Sequence, residues 1–326
     1  MHNTHGPAPF PYTYHNPVPV LTPDKLIDYC EKRQDYLIAF YLGDKDEEAW
    51  GRSTSRFHMN DELLPGVIYL PIQIKNGDIH GLKIVYRTAM SYNNVIFINH
   101  AAPYKSNALM KRVAQNPEAD GDYFVRNDDI GTFSIEDGNG RACIEMLRDK
   151  FGVEDFSKPA YIIVGTGNAG ALFAKEISKH ADAKLFLVDR LDKSELAAQL
   201  HARYYRDALS IPPELFAEND TLVIVDATSH NDKRGGLAPS LDFVRTYDPE
   251  KNIIFIDYSM YVTEENYAPF HLKARIGIGQ EYVAYTNYIM VTWITKLANE
   301  RGINIPTPSY AEFLRKVRRS EERISG

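Results

Sequence analysis

Cysteine is scarce: Cys30 and Cys143 are the only two in 326 residues, far apart in the chain. They cannot form the dense framework that staples a small secreted scaffold. The ten histidines include no HxxxH spacing and the cysteines no CxxC, so no metal site is expected. His2 and His5 are close together, but they stand in a proline-rich lead. No run is apolar enough to span a bilayer, so no membrane partner is expected. The first residues, MHNTHGPAPFPYTYHNPVPV, lack a charged-then-apolar secretory pattern, which reads as a protein of the reducing cytoplasm. An excess of positive charge is also missing. Lys and Arg number 37 against 44 Asp and Glu, a formal net charge of −7, so attraction to nucleic acid is not expected.

What the chain does have is a globular composition, 44% hydrophobic and 25% charged, and the length for one large or two ordinary domains. Short apolar runs rich in Val, Ile, Leu and Phe (YLIAFYLG, VIYLPIQI, NVIFIN, YIIVGTG, KLFLVD, TLVIVDA, IIFIDYS) alternate with helical patterns such as GLKIVYRTAMSY and NALMKRVAQ. That alternation implies α/β architecture with parallel sheets and crossover helices, the strands covered on both faces. A turn-rich break at FSIEDGNG divides the runs into two groups, which predicts two domains: an N-terminal α/β substrate domain and a Rossmann-type, doubly wound nucleotide-binding domain. The expected boundaries are an extension over 1–35, a substrate domain over 36–136 plus 280–326, and a nucleotide domain over 137–279. Thr22 before Pro23 is a candidate cap for a first helix. A long helix following IGIGQ and a last one over 309–324 are expected to return to the first domain, with Tyr282, Tyr285 and Tyr288 at a helical spacing usual for packing.

In AYIIVGTGNAGALFAKEISKHADAKLFLVDR, three glycines stand directly after a strand and open a helix, and an acid ends the next strand. This context makes the GxGxxG pattern a dinucleotide fingerprint. Gly165 suits the tight turn, Gly167 the close approach of a pyrophosphate, and Gly170 the packing of helix on strand. Asn168 and Ala169 complete the loop, at the helix start that faces the phosphates. Asp189 can accept both ribose hydroxyls of NAD and would repel a 2′-phosphate, whereas Arg190 beside it could admit NADP. NAD is therefore the expected cofactor, with NADP possible.

Six segments, in order from about Tyr36 to about Ala298, resemble the shikimate dehydrogenase family. GRSTSRFHMN resembles its HSxSPxxHN segment, NHAAPYK its NVTxPHK and IEDGNG its NTDGxG. VDATS resembles its NATP, FIDYSMYVTEEN its V-x-D-x-x-Y-N-P stretch, and GIGQEYVAYTNYIMVTW its glycine-led closing helix. The resemblance implies that Ser53 and Ser55 hold a substrate carboxylate, that Asn99 meets a substrate hydroxyl, and that Lys105 and Asp137 are the catalytic pair. It further implies that Thr228 and the backbone at Gly277 and Gly279 line the cofactor. The chain also departs from the family pattern. Ala101 replaces the threonine that contacts a substrate hydroxyl, Arg56 replaces a proline, and His58 is one residue short of the family histidine. Asp122 stands where an asparagine contacts substrate, and the closing-helix glutamine falls near Ala284 or Tyr285. A carboxylate accepts hydrogen bonds and suits a cation, so an amine-bearing or less hydroxylated relative of shikimate becomes a candidate substrate.

The residue chemistry fits the resemblance. Reducing a ketone needs a proton on oxygen, and a lysine ammonium can donate it or stabilise the developing alkoxide. An aspartate beside it can hold the ammonium and a substrate hydroxyl in place. Plainer roles remain open at this level: Lys105 as a solvated loop residue, Ser53 and Ser55 as helix caps, Asp137 and Asp122 as turn residues. The resulting expectation is an NAD(P)-dependent oxidoreductase interconverting an alcohol and a ketone on a small carboxylate-bearing substrate, as a monomer or homodimer. An imine or amino-acid-type dehydrogenase and a non-catalytic sensor of nucleotide and small acid are the alternatives.

Overall fold

In the computed structural model the described residues are 18–46, 63–101, 104–105, 107–127, 131–180, 182–228, 238–247, 251–259 and 262–325, with side chains described as far as 317. The chain divides into two compact units, Met1–Gly138 with Asn287–Gly326, and Asn139–Thr286.

The first unit is built on a five-stranded sheet: β1 (Leu37–Gly43), β2 (Val67–Gln73), β3 (Val95–His100), β4 (Tyr123–Arg126) and β5 (Phe133–Glu136), in the order β2-β1-β3-β4-β5. Consecutive residues such as Ile38, Ala39 and Phe40 of β1 and Ile96, Phe97 and Ile98 of β3 are all fully buried, as expected of strands covered on both faces. Helices α1 (Leu26–Glu31), α2 (Ile79–Ser91) and α3 (Ala108–Val113) accompany it. The pairs β1–β2 and β1–β3 are parallel, but β3–β4 and β4–β5 are antiparallel. The sheet is therefore mixed where the alternation of runs implies parallel pairing throughout. The link from Arg126 to Phe133 is shorter than the roughly dozen residues a parallel crossover requires, so β4 and β5 can only form a hairpin. The segment FSIE, which reads as part of a break, is β5 itself, and the turn formers begin after it.

Thr22 makes no side-chain cap. The chain enters α1 through a 3₁₀ turn over Pro23–Lys25, in which Lys25 N–H donates to the Thr22 carbonyl at 3.1 Å. The Thr22 side chain hydrogen-bonds the Asp24 carboxylate instead. From residue 18 the segment read as an extension is integral to this unit. Leu21 pairs with Ile72 beside β2, and Leu26, Tyr29 and Cys30 are buried in the same core as the sheet.

The second unit carries six parallel strands: β6 (Ala160–Val164), β7 (Lys184–Val188), β8 (Arg203–Tyr205), β9 (Thr221–Asp226), β10 (Asn252–Asp257) and β11 (Arg275–Ile278). Their order is β11-β10-β9-β6-β7-β8. Counted from β6, this is the 3-2-1-4-5-6 order of the doubly wound Rossmann sheet, with its topological switch point between β6 and β9. Helices α4 (Asn139–Asp149), α5 (Asn168–Ile177), α6 (Ser194–Gln199), α7 (Leu241–Tyr247) and α8 (Glu264–Tyr267) complete it. The unit boundary falls inside the 22-residue α9 (Gly279–Glu300), and α10 (Tyr310–Ser325) belongs with the first unit. There Tyr288 packs on Tyr310 and Phe313, with ring centroids 5.3 and 5.8 Å away.

Candidate functional site

Because β4 runs against both its neighbours, the C-terminal ends of β3 and β5 and the start of β4 meet at one edge of the first sheet. Asn99, Lys105, Asp122 and Asp137 all lie along that edge. Lys105 sits in the short loop between β3 and α3, which is pinned from several sides. Ala101 N–H donates to the Leu42 carbonyl at 2.9 Å, and Tyr104 OH to the Ile74 carbonyl at 2.6 Å. Asn107 caps α3 by accepting from Met110 N–H at 2.9 Å. The Lys105 Nζ comes 3.8 Å from Asp122 Oδ2, and the two side chains are 18% and 2% exposed. Asp122 Oδ1 accepts from Gly138 N–H at 2.8 Å, so the same carboxylate reaches the turn carrying the half-buried Asp137.

Asn99 is held by its amide, which donates to Tyr69 OH at 3.0 Å and to Met290 Sδ at 3.1 Å. Burial raises the Tyr69 phenol well above its ordinary pKa, and pushes neighbouring Tyr41 up to about 12. Lys45 approaches the Tyr41 ring at 5.8 Å, and its partial burial lowers its pKa. Nothing in the sequence pattern singles out that second lysine. Ser53 and Ser55 lie outside the described residues, as do Arg56, His58 and Asn60. Tyr285, grouped with the substrate contacts on sequence, is buried and belongs to the other unit.

His100 is a further member of this edge that the sequence reading gave no role. It is fully buried, with Nδ1 3.0 Å from the Asp122 carbonyl and Nε2 2.8 Å from Tyr86 OH. A carbonyl can only accept, so Nδ1 carries the proton and Nε2 accepts from the phenol. Asn107 in turn donates to Tyr86 OH at 2.8 Å. Burial, offset in part by the Asp122 carbonyl and reinforced by the Lys105 charge, lowers the His100 pKa from 6.5 to about 4. The unfolded chain therefore binds this proton between pH 6.5 and 4 while the folded chain does not. The stabilisation is complete above pH 6.5 and is lost as pH falls towards 4, by about 3 kcal/mol. Chemical denaturation across that window is expected to show a markedly flatter profile for His100→Gln than for the wild type, and parallel profiles would refute this assignment.

The second unit places the glycine-rich loop at its switch point. Gly165, directly after β6, has φ +83°, a left-handed conformation glycine adopts without strain, and a Cβ there would crowd Thr228 just after β9. Thr228 is tied down by Asp226, a fully buried carboxylate at the end of β9. One Asp226 oxygen accepts from Thr228 N–H at 3.1 Å and Oγ1 at 2.5 Å, the other from Ser240 N–H at 3.0 Å and Oγ at 2.6 Å. Gly170 packs so tightly on the Gly165 carbonyl that any Cβ would overlap it, whereas beside Gly167, the residue preceding α5, there is open space. Asn168, Ala169 and Gly170 form the first turn of α5, where N–H groups have no intrahelical partners.

Asp189 Oδ2 accepts from Thr166 N–H at 2.8 Å and Oγ1 at 2.9 Å, and Oδ1 accepts from Leu191 N–H at 3.0 Å. Burial alone would raise its pKa, but these hydrogen bonds outweigh it and hold the carboxyl below its ordinary value. Arg190 is exposed. Gly279 closes on the backbone carbonyls of Tyr258 and Ser259, so packing already demands glycine there, whereas a Cβ at Gly277 would meet the movable end of the Met146 side chain. Tyr282 stacks on Tyr258 at 4.0 Å and donates to Asn139 Oδ1 at 2.7 Å. Among the described residues no cluster of three His, Cys, Asp or Glu could hold a metal, and no helix is long and apolar enough to cross a membrane.

No family model matches the sequence, and no curated protein matches it. Solved structures do. Shikimate 5-dehydrogenase from Listeria monocytogenes, in complex with shikimate and NAD, superposes with a TM-score of 0.62 at 16% identity, covering 82% of this chain and 96% of that one. The fold is that of the shikimate dehydrogenases. The shikimate dehydrogenase fold is shared by quinate dehydrogenase from Corynebacterium glutamicum in complex with NAD, with a TM-score of 0.60 at 15% identity over 86% of this chain and 98% of that one. A ligand-free 5-ketofructose reductase of Gluconobacter sp. strain CHM43 has it too, with a TM-score of 0.62 at 14% identity over 87% and 98%.

Proposed function

We propose that the chain is an NAD(P)-dependent oxidoreductase that interconverts an alcohol and a ketone on a small, carboxylate-bearing, shikimate-like substrate. The observation carrying this reading is the Gly165–Gly170 loop at the switch point of a 3-2-1-4-5-6 sheet, the position at which such sheets take a dinucleotide. The residues suit the group. Open space beside Gly167 admits a pyrophosphate against backbone, and the free N–H groups opening α5 favour its negative charge. When bound, the nicotinamide supplies the hydride. Lys105 holds the proton that the carbonyl oxygen takes up, or returns it in the oxidative direction, and its ammonium stabilises negative charge developing there. Asp137 orients a substrate hydroxyl at the same edge, Asn99 holds another, and Ser53 and Ser55 take the carboxylate. Shikimate, bound in the Listeria monocytogenes neighbour, carries both hydroxyls and a carboxylate, in keeping with that division of labour.

Asp189 favours NAD, because an ionised carboxylate beside the ribose repels a 2′-phosphate. The test is a panel of shikimate, quinate, an amino analogue of shikimate and 5-ketofructose, each assayed with NAD(H) and NADP(H). Turnover of a carboxylate-bearing member is expected, with kcat/KM about tenfold or more higher for NAD, and Asp189→Ala is expected to narrow that preference. Absence of turnover across the panel with both nucleotides counts against the reading, and a preference for NADP overturns the role given to Asp189.

A further inference from the structure

Asp189, directly after β7, is held by the chain itself. Its Oδ2 accepts from both the N–H and the hydroxyl of Thr166, the residue between Gly165 and Gly167, at 2.8 and 2.9 Å, and its Oδ1 accepts from Leu191 N–H at 3.0 Å. The glycine loop and the strand end are joined again by Gly165 N–H, which donates to the Val188 carbonyl at 2.8 Å, and by Asp189 N–H, which donates to the Tyr205 carbonyl at 3.2 Å. The turn beyond Asp189 is fastened from β8. Tyr204 OH lies 2.9 Å from the carbonyls of both Asp189 and Leu191 and shares its one proton between them. Resting on the reading of Gly165–Gly170 as the nucleotide loop, we propose that Thr166 is a positioning residue that sets nucleotide specificity. Its buried hydroxyl fixes the plane of the Asp189 carboxylate and leaves one acceptor position, on Oδ1, for a ribose hydroxyl, while Tyr204 holds the turn that supplies the Leu191 donor.

An ionised carboxylate offers about four acceptor positions. Among the described residues three protein donors occupy those of Asp189, two on Oδ2 and one on Oδ1. A ribose hydroxyl can donate to the position that remains, whereas a 2′-phosphate dianion brings no proton and meets the negative charge instead. Asp189 therefore receives one hydroxyl of the ribose rather than both. Two of the three donors are backbone N–H groups that almost any residue would supply, so the Thr166 hydroxyl is the one that depends on residue type. Thr166 is 2% exposed, and valine there would keep the shape and the N–H while removing the hydroxyl donor. The carboxylate would then be freer to turn about its Cβ–Cγ bond. Burial would raise the Asp189 pKa, and the hydrogen bonds from Leu191 and Thr166, with the Lys193 cation, hold it low. Arg190, the other cation beside it, is exposed.

Calorimetric titration of the full-length chain with NAD and with NADP reads the discrimination without turnover. Thr166→Val is expected to weaken NAD binding about fivefold or more while NADP binding stays within about twofold, which narrows the preference. Thr166→Ser keeps the hydroxyl and is expected to bind both nucleotides as the wild type does. Tyr204→Phe, which leaves Asp189 and Thr166 in place, is expected to narrow the preference in the same direction by about two- to threefold. An unchanged NAD-to-NADP ratio in either Thr166→Val or Tyr204→Phe overturns the proposal. So does an equal loss of both nucleotides in Thr166→Val, which would make Thr166 a support of the loop rather than of the acid. A second readout needs no nucleotide: carbon-13 NMR titration of the Asp189 carboxyl, assigned by its absence in Asp189→Asn. Losing a hydrogen bond to the charged form raises a carboxyl pKa, so Thr166→Val is expected to titrate at higher pH than the wild type and Thr166→Ser at the same pH. A carboxyl that titrates alike in wild type and Thr166→Val overturns the proposal. A wild type that binds neither nucleotide overturns the reading of the loop, while the titration still decides whether Thr166 holds the acid, so the two failures are distinguishable.

Discussion

Lys105→Ala is expected to lower kcat by about 10²–10⁴-fold while leaving NAD affinity nearly unchanged. The size follows from the proposed roles: an ammonium placed to meet the carbonyl oxygen would act as charge builds there, whereas the loop proposed to hold the nucleotide, Gly165–Gly170, lies in the other unit. The split between kcat and nucleotide affinity is therefore the diagnostic feature. Steady-state kinetics with the best panel substrate, together with calorimetric NAD titration, measures both. A variant retaining full kcat removes Lys105 from the chemistry, and one that loses NAD binding points to a structural role.

The largest effect on stability is expected at the opposite end of β4. Arg126 is 1% exposed and donates to three backbone carbonyls: Val95 at 2.6 Å, Tyr92 at 2.9 Å, and Ala89. Its guanidinium also lies 4.7 Å from the centroid of the Phe133 ring. These bonds join β4 to the last turn of α2 and the entry of β3. Truncation would take a donor from each of these carbonyls, of which that of Tyr92 also accepts from Val95 N–H at 3.0 Å, and would open a cavity, so Arg126→Ala is expected to destabilise the protein by about 3–5 kcal/mol in chemical denaturation. Arg126→Lys is expected to recover little, because a single ammonium cannot reproduce the planar fork that reaches several carbonyls at once. A loss under about 1 kcal/mol for Arg126→Ala would show that the carbonyls find other partners.

The nucleotide-type unit was legible in sequence because its signals are local. Each strand is a continuous apolar run, the glycines follow β6 at fixed spacing, and an acid ends β7, so the switch-point geometry of Gly165 and Thr228 is encoded within short stretches. The first unit was less legible. Strands β4 and β5 have four residues each, and β5 alternates buried and half-buried positions, too brief a pattern to stand out from a turn. The antiparallel hairpin that brings Asp122 and Asp137 to the same edge as Lys105 was hidden with them. Thr22 carried the right residue type for a cap, but the tighter 3₁₀ entry satisfied the backbone through the Thr22 carbonyl. His100 gave no signal because its two partners, Tyr86 and the Asp122 carbonyl, arrive from elements distant in sequence. Asp226 was visible as the acid of VDATS, yet two of its four hydrogen bonds come from Ser240, 14 residues further along the chain.

A crystal structure of the protein with NAD and the best substrate of the panel tests the central claim most directly. The account predicts the pyrophosphate against Gly165–Gly170 and the opening of α5, and the reacting oxygen within about 3 Å of the Lys105 Nζ, or one water away. Asp122 remains buried against Lys105 and Gly138. A substrate bound away from the Lys105 edge, or a nucleotide seated elsewhere than the β6–β9 switch point, would contradict it.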